Sequence, residues 1–183
     1  MLKLWPLIRE YLGQNPYRMC RAVFRGGMFD GHVYGETPLY IYDFMGKFLK
    51  KGELFVDLGC GRGEGLLYLC KHNNLQGLGF DLVESFIEKG NRIVKKMNIN
   101  CLFKQENLLK IKLAHANAFY IAGTCMDDEV IFHLVKELSR VKAPLIFNLS
   151  FPLEDYGLKG YKTEEVSIIM PFGKTELYIH KKG

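Results

Sequence analysis

An acidic residue followed by alternating glycines is the part of the sequence best suited to binding a ligand. Asp57 closes a short apolar run, and Gly59, Gly61 and Gly63 follow it at every second position. A loop without Cβ atoms lets the backbone approach a ligand closely, and the free amides of a helix that begins near Glu64 would point at the same place. The pattern predicts a ligand-binding turn between strand and helix, with a purely structural turn as the alternative.

The spacing of these glycines excludes two common phosphate-binding loops. A dinucleotide-binding GxGxxG loop would require a glycine at position 64, which is Glu64, and the Gly-Lys-Ser/Thr of a P-loop is absent. What remains is Asp-x-Gly-x-Gly-x-Gly, a pattern that several nucleotide-binding folds share.

Two further polar residues follow the next predicted strands. Asp81 ends a strand over 77–82, and Asn107 follows one over 100–106. Ligands of open α/β sheets lie across the carboxyl ends of the strands. Asp81 is therefore positioned either to accept hydrogen bonds from ribose hydroxyls or to cap the next helix. Asn107 is positioned to accept from an adenine amine, with Leu108 against the ring, or to cap a turn. Together with the glycine loop they predict a nucleoside-containing cofactor.

Helices and strands alternate along the chain and would place these residues at one edge of a sheet. Two late strands, 164–170 and 174–181, are separated only by Pro171, Phe172 and Gly173, which is hairpin spacing. We predict an α/β fold with a Rossmann-like, seven-stranded, mostly parallel sheet, helices on both faces and a C-terminal antiparallel hairpin. The other predicted strands are 53–58, 77–82, 100–106, 117–123 and 143–151, and the predicted helices are 39–50, 64–72, 84–97 and 127–141.

The composition is that of a globular chain. The 183 residues are 48% hydrophobic with a formal net charge of +5, and no apolar run approaches the roughly 18 residues that span a bilayer. The five cysteines are dispersed without a CxxC pair, as is typical of reduced thiols, and the histidines lack metal-ligand spacing. We expect a cytoplasmic protein without a metal site or membrane contact. The mild positive charge permits a nucleic-acid partner without requiring one.

The first 38 residues differ from the rest of the chain. Residues 2–12 have the pattern of an amphipathic helix, and residues 13–38 are rich in glycine, proline and aromatic side chains. A long segment of this kind in a compact domain is usually a binding loop or disordered. We predict that residues 1–38 form a helix and a loop that covers the cofactor, and that residues 39–183 form the main domain.

With the closing hairpin, the pattern over residues 39–183 resembles the class I S-adenosylmethionine (SAM)-dependent methyltransferases. The likeness is most specific at Val56–Gly63, Val-Asp-Leu-Gly-Cys-Gly-Arg-Gly. The resemblance implies an enzyme that uses SAM and releases S-adenosylhomocysteine. Carried over by position, the cofactor-binding residues of the main domain are Asp57, Gly59, Cys60, Gly61, Gly63, Asp81, Leu82, Asn107 and Leu108.

A second resemblance concerns the segment Val33–Thr37, Val-Tyr-Gly-Glu-Thr. It is similar to the loop ahead of the SAM site in the non-SET histone-lysine methyltransferases of the disruptor-of-telomeric-silencing type and their small bacterial relatives. That resemblance implies cofactor contacts from Tyr34, Glu36 and Thr37, with Glu36 facing the amino group of SAM. It also implies a lysine acceptor, with Tyr34, Glu36 and Thr124 as candidate catalytic residues.

The chain departs from that family at the acceptor end of the site. The eukaryotic enzymes have Asn residues after the fourth strand, where this chain has Ala122 or Gly123. Asn107 and Leu108 stand where the family has an adenine-binding Asp and a ring-packing Phe. Methyl transfer to a protein side chain, which the resemblance implies to be lysine, is therefore one expectation among three. The alternatives are an RNA or small-molecule methyltransferase on the same fold and a SAM-binding protein without turnover.

Overall fold

The computed structural model describes residues 35–123, 126–171 and 173–183. The predicted helix over 2–12, most of the predicted covering loop, Tyr34 and Thr124 lie outside the described residues. The expectation that residues 1–38 form a separate covering unit therefore stays a prediction.

Seven strands form one sheet in the order β3-β2-β1-β4-β5-β7-β6. Strands β1 to β5 run parallel, and β7 lies antiparallel between β5 and β6. This confirms the predicted seven-stranded, mostly parallel sheet with a C-terminal hairpin. The strands are β1 Leu54–Leu58, β2 Gln76–Asp81, β3 Cys101–Gln105, β4 Ala118–Ile121, β5 Leu145–Leu149, β6 Tyr161–Met170 and β7 Gly173–Lys182.

Four α-helices and one short 3₁₀ helix, Leu153–Tyr156, accompany the sheet in the described residues. The first α-helix ends at Gly46, four residues before the predicted end, because Phe48 and Leu49 donate to carbonyls three residues back in 3₁₀-type turns. The α-helices are α1 Leu39–Gly46, α2 Glu64–Asn73, α3 Glu84–Met97 and α4 Asp128–Arg140.

The core lies on both faces of the sheet because successive strand residues point to opposite sides. Phe55 packs in one buried cluster with Ile41 of α1 and Leu66 of α2. Its neighbour Val56 packs in the other, with Leu134 of α4. Helices therefore cover both faces, as predicted, and the ends of β1, β2 and β4 are held rigidly between them.

The connection from β3 to β4 contains no helix among the described residues. Its residues are held by α4 instead: Leu113 N–H donates to Glu137 Oε2 at 2.9 Å, and Arg140 Nη2 donates to the Leu113 carbonyl at 2.6 Å. In the part of the chain that the structure describes, no helix is both long and apolar enough to cross a membrane.

Candidate cofactor-binding site

A cavity of about 510 Å³ opens at the carboxyl ends of β1, β2 and β4. The strand order reverses between β1 and β4, and such a switch point is where open α/β sheets bind ligands. The volume suits a small organic ligand. The predicted residues that line it are Glu36, Thr37, Gly59, Cys60, Gly61, Gly63, Asp81, Leu82, Asn107 and Leu108.

The glycine loop forms one wall of this cavity. Its glycines adopt left-handed backbone conformations, with φ of 84° at Gly59, 54° at Gly61 and 77° at Gly63. A Cβ on Gly59 would lie 2.6 Å from the Met126 Cε atom, which also borders the cavity. The amides of Gly59 and Cys60 both donate to the Phe80 carbonyl at 2.9 Å, which fixes the loop on β2. The absence of a Cβ at Gly59 therefore lets the loop pack closely against Met126 at the wall of the cavity.

Asp81 accepts hydrogen bonds from two backbone amides, one of them at the start of the next helix, while ribose binding by it stays a prediction. Its Oδ2 accepts from the Gly61 amide at 2.8 Å, and its Oδ1 accepts from the Val83 amide at 2.9 Å, at the start of α3. Each oxygen retains a further lone pair for a hydroxyl group. Desolvation is the largest cause that raises the pKa of Asp81, while these amides oppose it.

Asn107 is held by its own turn. Its Oδ1 accepts from the Leu109 amide at 2.9 Å, which is the local role that competes with adenine recognition. Asn107 and Leu108 nevertheless line the cavity. The side-chain oxygen therefore has one lone pair left for a ligand donor.

Asp57 lies beneath the cavity and is not among the residues that line it. It is 1% exposed, and its Oδ2 accepts from the Tyr42 hydroxyl at 2.9 Å. Burial raises the pKa of Asp57 to about 7, with the Tyr42 hydrogen bond working in the opposite direction. Of the predicted cofactor contacts among the described residues, Asp57 is the one that reaches the cavity only through another side chain.

Two tyrosines at this end of the cavity were missed in the sequence. Tyr42 and Tyr120 both line it, with ring centroids 5.6 Å apart in an edge-to-face arrangement. The Tyr120 hydroxyl and Thr37 Oγ1 are 2.6 Å apart. Both tyrosines fit the apolar patterns of their helix and strand. The signal for Tyr120 is its place just before the end of β4, where side chains border a switch-point site.

Arg62 is a third residue that sequence reasoning overlooked. It stands between two glycines of the loop, at a position where the pattern allows any residue. Its guanidinium pairs with the Glu36 carboxylate and lies 2.8 Å from Glu64 Oε1. Glu36 was expected to face a ligand amine, and here its carboxylate is held by Arg62. Desolvation raises the pKa of Glu64, and the charge of Arg62 opposes that rise.

The remaining wall of the cavity is apolar and contains small residues. Ala122, Gly123 and Met126 line it together with Val130 of α4. Gly123 has φ of 72°, and a Cβ there would lie 2.6 Å from the Phe151 ring. Ala122 and Gly123, where the sequence resemblance led us to look for Asn, therefore form a small-residue part of the cavity wall.

Comparison with known proteins assigns the domain. Residues 55–144, just under half of the chain, match a family model described as a methyltransferase domain. The chain carries a methyltransferase domain. Together with the cavity described above, that match identifies the chain as a SAM-dependent methyltransferase, with SAM as its cofactor. No curated protein matches the chain in sequence.

Solved structures resemble the methyltransferase in fold. Magnesium protoporphyrin IX methyltransferase from Synechocystis PCC 6803, with bound SAM, is 13% identical, with a TM-score of 0.65 over 94% of this chain and 99% of that one. An RNA methyltransferase from Salinibacter ruber, in complex with S-adenosyl-L-homocysteine, is 17% identical, with a TM-score of 0.64 over 80% and 94%.

A third structure matches over a smaller share of its length. The Pyrococcus abyssi tRNA (uracil-54, C5)-methyltransferase, in complex with S-adenosyl-L-homocysteine, is 20% identical, with a TM-score of 0.61. The match covers 78% of this chain and 37% of that one. At these identities the likeness concerns the fold.

The residues of the cavity suit SAM. Asp81 offers two acceptor oxygens at the end of β2, which matches a pair of ribose hydroxyls. A Cβ on Gly59 would meet Met126, another residue of the cavity wall, so the backbone and this wall pack closely here. The carboxylates of Asp81 and Glu64 border the cavity and favour a cationic ligand.

Proposed function

We propose that this methyltransferase transfers the methyl group of SAM to a lysine side chain of a protein. The observation that carries the proposal is that Glu36 and Thr37, from the segment that resembles the lysine methyltransferases, line the same cavity as the glycine loop. The Thr37 hydroxyl is within hydrogen-bond distance of Tyr120. The segment is thereby tied to the floor of the cavity.

In this proposal SAM lies along the ends of β1 to β3. Asp81 accepts from the ribose hydroxyls, Asn107 and Leu108 border the adenine, and Gly59–Gly63 lie against the methionine portion. The Glu36 carboxylate accepts a hydrogen bond from the amino group of SAM and keeps its ion pair with Arg62. Tyr34 and Thr124, which the resemblance also implies as contacts, lie outside the described residues.

The acceptor lysine must arrive as a neutral amine. The wall of Tyr42, Tyr120, Met126 and Val130 supplies an apolar passage, and desolvation there lowers the pKa of an ammonium group because it disfavours the charged form. The aliphatic part of a lysine side chain suits such a wall. We expect Phe151, which packs behind Gly123, to support this passage.

The protein's contribution to the reaction is alignment. SAM, when bound, supplies a methyl group already activated by the positive sulfur. The tyrosine pair and the small residues Ala122 and Gly123 then hold the acceptor nitrogen in line and exclude water. A dedicated nucleophile is not needed for this chemistry.

RNA is the second candidate acceptor. Two of the neighbouring structures are an RNA methyltransferase and a tRNA methyltransferase, and the present chain has a basic pI of about 8.9. The fold does not select the acceptor. The experiment must therefore offer both.

The test is methyl transfer from tritiated SAM to core histones, to total RNA and to a cell lysate that is afterwards treated with protease or ribonuclease. We expect label that protease releases and ribonuclease leaves in place. Label that only ribonuclease releases would support the RNA alternative and overturn the lysine proposal. SAM binding by calorimetry without label in any fraction would indicate a binding protein without turnover.

We also propose that the protein works in the cytoplasm. Cys60, Cys70 and Cys101 are free thiols, which suits a reducing compartment. Fractionation of cells that express a tagged protein tests this, and recovery in a secreted or membrane fraction would contradict it.

A further inference from the structure

Among the described residues, the outer side of β6 is an open sheet edge. Strand β6 pairs with β7 over its full length from Tyr161 to Met170, and no described strand pairs with its other side. Backbone N–H and C=O groups of an open edge are unpaired and form a template for another extended chain. At 10 residues, this is an unusually long edge to leave open.

Tyr40 identifies which backbone groups point outward. Its hydroxyl donates to the Ile169 carbonyl at 2.6 Å and accepts from the Ile169 amide at 3.0 Å. In an antiparallel ladder, the groups that face away from the partner belong to alternate residues. The outward N–H and C=O groups of β6 are therefore those of Thr163, Glu165, Ser167 and Ile169. Of these, Tyr40 occupies the last pair, and in the part of the chain that the structure describes no other side chain bonds to the rest.

This edge leads to the opening of the cavity. Tyr40 is followed back along the chain by Leu39 and Pro38, and β6 is followed by Pro171; these three residues line the cavity. From Ser167 to Pro171 the strand covers roughly 13 Å. A chain paired with Thr163–Ser167 thus has its next few residues at the opening.

We infer that the outer edge of β6 binds the protein substrate, whose extended segment adds to the sheet as an eighth strand and delivers its lysine to the cavity. Addition of a strand to an open edge is an established mode of peptide recognition, in which main-chain hydrogen bonds supply affinity for varied sequences. The inference rests on the proposed function, methylation of a protein lysine. It adds that this lysine lies in an extended segment of the substrate. Tyr40 marks the end of the paired segment, because its hydroxyl already satisfies Ile169.

The charge beside the edge favours a basic segment. Ile169 is 73% exposed and supplies an apolar contact, and Lys181 is neutralised by Glu164 at 2.7 Å. Tyr178, on the neighbouring strand, has its pKa raised first by burial and then by four surrounding carboxylates: Glu165, Glu176, Asp155 and Glu154. A lysine-bearing substrate segment meets these carboxylates beside the middle of the edge, whereas Lys174 and Lys182 of β7 lie toward its two ends.

The first test uses the wild-type protein and a lysine peptide from a protein that it labels. Two further versions of the peptide are N-methylated, one on the odd-numbered and one on the even-numbered backbone amides. Alternate amides of a paired strand face its partner, so only one version loses the amides that face β6. We expect kcat/KM to fall about tenfold or more for one version and little for the other, since several main-chain hydrogen bonds are lost. Equal effects for both versions, or none, would overturn the inference.

The second test changes the protein. Ser167→Pro removes one outward amide without touching the ladder to β7. We expect a fall of about fivefold or more in kcat/KM for the peptide, with unchanged calorimetric affinity for SAM and unchanged turnover of N-acetyl-lysine methylamide, which is too short to form a strand. Should the variant fail to fold, the N-methylated peptides still decide the matter.

Failure of the proposed function and failure of the inference about the β6 edge give different results. If the wild-type protein methylates no lysine in peptide or protein, the proposed function fails and this inference is overturned with it. If lysine is methylated but Ser167→Pro and both N-methylated peptides behave like the wild type, only the edge is rejected.

Discussion

The Tyr42 hydroxyl donates a 2.9 Å hydrogen bond to the Asp57 carboxylate beneath the cofactor cavity. The contact joins α1 to the end of β1, so the first strand of the sheet and the helix before it share one buried polar pair. Tyr42 presents its ring to the cavity while Asp57 remains below it. The acid at the start of the glycine loop therefore contacts the tyrosine that lines the cavity and does not line the cavity itself.

Asp57 is expected to make stability depend on pH. Burial raises its pKa from 3.8 to about 7 in the folded protein, so the folded state holds a proton that the unfolded state releases between these values. Stability from this group therefore falls as pH rises through that window, by about 1.4 kcal/mol per pH unit.

The Asp57→Asn variant lacks this ionisation. Chemical denaturation at about pH 5 and about pH 8 should show the variant gaining roughly 2–3 kcal/mol on the wild type as pH rises. A constant difference between the two proteins would contradict a raised pKa at Asp57.

His180 should act in the opposite direction on the acid side. It is fully buried, with Nε2 at 2.7 Å from Asn148 Oδ1 and Nδ1 at 2.8 Å from Thr163 Oγ1. Desolvation lowers its pKa from 6.5, and nearby Glu154 only partly opposes this. Because the unfolded chain takes up a proton first, stability is lost as pH falls below 6.5. His180→Gln should be less sensitive to pH there in the same denaturation experiment, and an equal acid slope would count against this.

Gly59 and Gly52 offer a matched pair for testing the cavity wall. Both have φ of 84°, but a Cβ on Gly52 meets nothing within 4 Å, while one on Gly59 lies 2.6 Å from Met126. Both alanine variants should lose about 1–2 kcal/mol of stability from the left-handed backbone. Only Gly59→Ala should lose SAM affinity, by about tenfold or more in calorimetry. Both variants carry the same backbone strain, but only the Cβ at position 59 crowds the wall of the cavity. Equal affinity in the two variants would mean that SAM does not lie against Gly59.

Asp81 is expected to dominate recognition of the cofactor. Asp81→Ala removes the acceptor of two backbone amides and of the proposed ribose hydroxyls, and hydrogen bonds to charged groups contribute about 1.5–3 kcal/mol each. SAM affinity should fall by about a hundredfold. Glu88→Ala, which removes an exposed acid from α3, is the control and should bind SAM as the wild type does. Unchanged affinity in Asp81→Ala would remove Asp81 from the site.

The glycine loop and Asp81 could be predicted because their chemistry is local. The loop needs positive φ at every second residue, and Asp81 follows a strand whose neighbours fix the side to which it points. The predicted boundaries of α1 and β6 were less accurate than those of the glycine loop. Strand β6 begins three residues before its predicted start at position 164, since Tyr161 and Thr163 pair with β7 without an apolar pattern of their own.

The contacts that sequence reasoning missed join residues far apart in the chain. Arg62 reaches Glu36 across 26 positions and Tyr120 reaches Thr37 across 83, and neither distance leaves a periodic signal. Tyr42 has the spacing of an ordinary core residue, so its hydroxyl partner is visible only after α1 packs on the sheet.

The most direct test of the proposed function is tandem mass spectrometry of protein acceptors after incubation with SAM carrying an isotopically labelled methyl group. We expect the labelled methyl group on the Nζ atom of lysine, and its absence with Asp81→Ala at limiting SAM. Label confined to RNA or to small molecules, with every lysine unmodified, would contradict it.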